Sequence, residues 1–122
     1  MRVLLVDDDA GIRTALAELL CAEGMDVVGE GMTGEDAIIK SGELQPDVVV
    51  LDDQMPLLTG VEAMPGIRRA APGARIVLFS AGVDSLSLKD PPDAVVAKGL
   101  PPADLLRAIA GLRSLTTGIP GQ

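Results

Sequence analysis

The stretch Pro46-Asp47-Val48-Val49-Val50-Leu51-Asp52-Asp53-Gln54-Met55-Pro56 most narrows what this chain can fold into. Val48 to Leu51 are four apolar β-formers in succession, which leaves neither face of the strand polar. Such a strand suits the middle of a parallel sheet covered on both sides. The run stops at two carboxylates, and Met55-Pro56 forces a loop. In open α/β folds the carboxyl edge of the sheet is where ligands bind. Asp52 is therefore the candidate reactive centre, and other strands should deliver its partners.

Strand-like and helix-like segments alternate along the rest of the chain. Val3 to Val6 forms an apolar run ending in Asp7-Asp8-Asp9. Residues 10–23 read as a helix with Ile12, Ala15, Leu16 and Leu19 on one face, Cys21 opposite them, and Gly24 as its stop. Val27-Val28 predicts a short second strand. Thr33 with Asp36 resembles a capping box and opens a helix to about Ser41. Thr59-Gly60 begins a third helix through Arg69, interrupted by Pro65-Gly66, where a kink is expected. Arg75 to Ser80 and Val95 to Ala97 read as the last two strands, and Pro101-Pro102 start a final helix lined by Leu105, Ile109 and Leu112. Between those two strands, residues 82–93 leave room for one or two helical turns at most. The fold class is α/β, with one domain over residues 1–113; residues 114–122 read as a flexible tail or the start of a linker.

Bulk properties remove several functions. The 122 residues carry 18 acidic and 10 basic side chains, a formal net charge of -8. That balance argues against binding nucleic acid or an anionic membrane through this domain. No apolar run is long enough for a membrane span or a signal peptide core, and one cysteine cannot make an internal disulfide. A cytoplasmic location is the default expectation. With no Trp or Tyr and Phe79 the single aromatic, stacking on bases or sugars is not an available binding mode.

Four strands end in chemically capable residues: Asp7-Asp8, Asp52, Ser80 and Lys98. In a parallel sheet all carboxyl ends lie on one edge, so these groups converge. Carboxylates packed together repel unless a cation is shared between them. Mg²⁺, a hard ion preferring oxygen ligands, is the natural choice. A lysine can offset incoming anionic oxygens and a serine hydroxyl can donate to one. This is equipment for phosphoryl transfer, with an aspartate able to serve as nucleophile.

These residues, in this order and each at a strand end, resemble a response-regulator receiver domain of two-component signalling. The matching pieces are Val3 to Asp8, Pro46 to Pro56 followed by Gly60, Ile76 to Ala81, and Val96-Ala97-Lys98. The resemblance implies a doubly wound, flavodoxin-like five-stranded parallel sheet in the order 2-1-3-4-5, with helices on both faces. It implies that Asp52 accepts a phosphoryl group from a histidine kinase or phosphotransfer protein. Asp8 and Asp52 would bind Mg²⁺ directly with the backbone carbonyl of Gln54, and Asp7 through a bridging water. Lys98 and the Ser80 hydroxyl, with the amide of Ala81, would receive the phosphoryl oxygens.

The sequence also departs from that family. Val95 stands where an aromatic switch residue is usual, Gly99 follows Lys98 where a proline is common, and the short crossover implies a stunted fourth helix. These changes fall on the face used for dimerisation and output, so homodimerisation stays open. A receiver-like docking module that works without phosphorylation is the alternative reading. A small aspartyl phosphatase is disfavoured, because Gln54 stands where a second acid would be expected. Asp9 is expected to cap the first helix, Asp53 to be a solvated loop charge and Cys21 a partly exposed, inert thiol. The segment Val27 to Glu30 with Gly34 to Ala37 resembles receivers that precede a helix-turn-helix DNA-binding domain.

Overall fold

In the computed structural model, residues 1–80, 91–97 and 102–117 are described, with side chains of the last segment over 104–112. Strands β1 (Arg2–Val6), β2 (Asp26–Gly31), β3 (Val48–Asp52), β4 (Arg75–Ser80) and β5 (Ala94–Ala97) alternate with helices α1 (Ala10–Ala22), α2 (Gly34–Leu44) and α3 (Gly60–Ala70). Helix α4 (Pro102–Thr117) follows β5. The strands form one sheet in the order β2-β1-β3-β4-β5, every pair parallel, as the sequence implies.

The apolar run fixes the centre. All five residues of β3 are buried, and alternation sends them to two separate cores. Val49 and Leu51 join Leu4, Val6, Ile76 and Leu78 beneath α2 and α3. Val48 and Val50 join Val3, Leu5 and Val77 beneath α1 and α4, where Leu16, Leu20, Leu105 and Ile109 meet them. Helices therefore cover both faces of the sheet.

Helix ends follow side-chain chemistry. The Asp9 carboxylate accepts from the Ile12 amide at 3.1 Å, so Asp9 caps α1 as expected. Gly24, at φ 85°, takes the left-handed turn that ends the helix region. At α2 the Thr33 hydroxyl accepts from the Asp36 amide, but Asp36 reaches back to the Met32 amide, one residue beyond the usual partner. α3 carries a complete capping box between Thr59 and Glu62, which its sequence reading did not include.

Three boundaries differ from the sequence reading. α3 continues through Pro65 without interruption, the proline leaving the Val61 carbonyl without its helical donor. Gly66 beside it lets α2 pack closely, because a Cβ there would sit 2.5 Å from Ile38 Cδ1. β2 extends well past Val28 because β1 supplies a pairing partner that offsets the weak strand preference of its glycines. Its register with β1 slips between Val3 and Leu4, which pair with Val27 and Gly29, so Val28 is an extra bulged residue. α4 runs to Thr117, so helical backbone continues into the segment read as tail. The expected stunted helix between β4 and β5 lies outside the described residues.

Candidate functional site

Register brings the acidic residues together. Val6 pairs with Leu51, so the next residues, Asp7 and Asp52, leave neighbouring strands at the same level. Carboxylate oxygens of Asp7, Asp8 and Asp52 lie within 4.8 Å of one another. Asp7 and Asp52 are 3% and 1% exposed, while Asp8 faces solvent, so two carboxylates are set in the protein and the third lies on the open side. Asp52 pairs with Phe79, which places the buried Ser80 one step further along the adjacent strand.

The two buried carboxylates are oriented by the same local device. The Asp9 amide donates to Asp7 Oδ1 at 2.9 Å, and the Gln54 amide donates to Asp52 Oδ1 at 3.1 Å. Each is a turn in which an aspartate accepts from the backbone two residues on. The loop after Asp52 is pinned further. Asp53 donates its amide to the Phe79 carbonyl at 3.2 Å, and its own carbonyl accepts from the Gly60 amide at 2.9 Å. The Asp53 carboxylate accepts from the Val61 amide at 3.4 Å. Asp53, expected to be a solvated loop charge, instead ties β3 to the start of α3. Gly60 permits this close approach, since a Cβ there would lie 2.5 Å from the Asp52 carbonyl oxygen.

One functional candidate escaped the sequence reading. Arg13, on α1, lines the same small cavity as Asp7, Val50, Asp52 and Phe79. Its Nη1 donates to the Asp7 carbonyl at 2.6 Å and its Nε to Glu30 at 3.1 Å. A lone basic residue in the helix that follows an acidic triplet was the available signal. Gln54 lies two residues beyond the end of β3 and is exposed. Lys98 and Ala81 lie outside the described residues. Cys21 is exposed and away from this edge.

The donor set suits a hard divalent cation: all oxygen, three carboxylates, and one exposed side on which water ligands can remain. No helix among the described residues is long and apolar enough to cross a membrane.

Comparison with known proteins agrees with this geometry. Residues 3–110 match the family described as response regulator receiver domain. The chemotaxis protein CheY of Thermotoga maritima is 40% identical over 80 residues, spanning 66% of this chain and 67% of that protein. The nitrate/nitrite response regulator NarL of Escherichia coli K12 is 35% identical over 112 residues. That match covers 88% of this chain, which spans about half (52%) of NarL. A LuxR-family response regulator from an Aurantimonas species superposes with TM-score 0.82 at 31% identity, covering 91% of this chain and 83% of the other. CheY in a CheX-CheY-BeF3-Mg complex from Borrelia burgdorferi gives 0.83 at 27% identity, covering 93% and 89%. By sequence, fold and the placing of its acidic edge, this chain belongs to the response regulator receiver domain family of two-component signalling.

Proposed function

We propose that this domain is switched by phosphorylation of Asp52, with a histidine kinase or a histidine phosphotransfer protein as donor. The observation that carries the reading is the meeting of Asp7, Asp8 and Asp52 at one sheet edge. In the transfer a carboxylate oxygen of Asp52 attacks phosphorus, the P–N bond of the donor phosphohistidine breaks, and the imidazole leaves with that electron pair. The Gln54 amide holds Asp52 Oδ1, which fixes the plane of the nucleophile. Burial of Asp52 at 1% exposure limits the water that would compete for the phosphoryl group or hydrolyse the acyl phosphate. Asp8, Asp52 and the Gln54 carbonyl, with Asp7 acting through water, would hold Mg²⁺, whose charge offsets the carboxylates and the incoming phosphoryl oxygens. Ser80 and Lys98 are proposed to receive the phosphoryl oxygens. The position of Ser80 beside the Asp52 level on β4 supports its part.

The output is proposed to be transcriptional, through a further domain of a longer regulator. NarL, of which this chain spans about half, and RcsB of Salmonella enterica, whose structure is bound to a promoter, support that reading.

Acetyl phosphate with Mg²⁺ should add one phosphate to the native chain, seen by intact-protein mass spectrometry at neutral pH. Asp52→Asn should abolish it. No mass shift in the native chain, or an undiminished shift in the variant, would remove the proposal.

A further inference from the structure

The bulge in β2 has a chemical result. Residues paired across a sheet point to the same face. Leu5 points into the core beneath α1, and Glu30 is its partner on β2. With the register of Val3 and Val27 continued, Glu30 would pair with Val6 and point to the α2 side instead. The extra residue, Val28, therefore turns Glu30 toward α1, where it meets Arg13. Arg13 is largely buried, its side chain 14% exposed, and Glu30 is 44% exposed. The guanidinium bridges Glu30 and the Asp7 carbonyl, while the Asp7 amide donates to the Gly31 carbonyl at 3.1 Å. The main chain that presents Asp7 and Asp8 is thus clamped on both sides.

We propose that Arg13, oriented by Glu30, is a positioning residue for the acidic site: it fixes the Asp7 peptide and through it the separation of the cation-binding carboxylates. The inference rests on the phosphorylation reading above, since it concerns how that site is kept ready. Arg13 touches no reacting atom in this role. A fixed carbonyl on the Asp7–Asp8 peptide restricts how far the two carboxylates drift apart under their mutual repulsion. Glu30 draws the guanidinium to the β2 side and balances its charge there, so its positive field opposes an incoming cation less.

Titration calorimetry with Mg²⁺ alone tests this on the native chain, Arg13→Ala, Arg13→Lys and Glu30→Gln, with acetyl phosphate labelling followed separately. Loss of partners that orient metal ligands commonly weakens affinity by about 10–100-fold. Arg13→Ala should fall near the lower end, about 10-fold, with Arg13→Lys recovering part of the loss. Glu30→Gln leaves the core intact, so it keeps the test open should Arg13→Ala fail to fold, and it should weaken Mg²⁺ binding by a few-fold. Saturating Mg²⁺ should restore the labelling rate of all three variants. Native Mg²⁺ affinity in both Arg13→Ala and Glu30→Gln would overturn the proposal, as would slow labelling that saturating Mg²⁺ leaves unrepaired. If the native chain itself is not labelled, the phosphorylation reading fails instead.

Discussion

Leu57 sits in the loop just after the proposed phosphoacceptor and contradicts two local preferences at once. It is 99% exposed and adopts φ 71°, a region that suits Gly or Asn and strains a γ-branched side chain. Neither burial nor backbone preference favours leucine there. Leu57→Asn should therefore raise stability by about 1 kcal/mol, since a non-glycine residue in the left-handed region costs about 1–2 kcal/mol and asparagine relieves part of that. Urea unfolding monitored by circular dichroism checks it, and an unchanged or lower midpoint would refute it. The contrast with Asp52 shows what a sequence makes legible at this scale. Asp7, Asp8 and Asp52 were readable because each ends an apolar run, and strand ends converge by topology alone. Arg13 and Asp53 were not, because their partners depend on register and loop path: Glu30 reaches Arg13 only through a slipped pairing, and Asp53 reaches Val61 only through a tight loop.

Among the elements, β5 is the edge strand most in need of outside support. It spans four residues, and Val95 on it is 39% exposed. Asp93, just before it, supplies the anchor. Its carboxylate accepts from the Ile76 amide at 2.7 Å and pairs with Arg68 at 3.0 Å and Arg75 at 3.5 Å. Its own amide donates to the Ile76 carbonyl at 2.9 Å. One residue thus joins β5, β4 and α3 at the edge of the sheet opposite the acidic site. Asp93→Ala should destabilise by about 1–3 kcal/mol, because the Ile76 amide and two guanidinium groups lose their acceptor. Asp93→Asn keeps an acceptor for that amide and should cost less; equal losses in equilibrium denaturation would disprove this division. Element types were legible throughout the described residues, because periodicity and caps agree along the chain. Boundaries slipped where tertiary partners override local preference, as in the glycines of β2 and at Pro65 within α3.

At the scale of the whole molecule, the two-faced core was legible from a single motif, the buried run of β3, whereas the strand order was legible only through the resemblance to receiver domains. A strand apolar on both faces demands cover above and below, and parallel neighbours demand crossovers. The site belongs to the assembled sheet rather than to any one segment: Asp7 and Asp8 follow β1, and Asp52 ends β3. Labelling by acetyl phosphate across a urea series should accordingly lose amplitude at the same midpoint as far-UV circular dichroism. Labelling that outlasts the sheet would show that Asp52 reacts without its partners. The parallel pairing of every strand also bears on synthesis. With no hairpin among the described strands, the pairings of β1 with β2, β1 with β3 and β3 with β4 each wait for an intervening helix to be made, and parallel pairing of this kind is slow to assemble. Asp52 is translated before β4, the neighbour that completes the central strand. A growing chain therefore carries the proposed acceptor before its partners are in place, and the acidic site forms only when the sheet closes around β3.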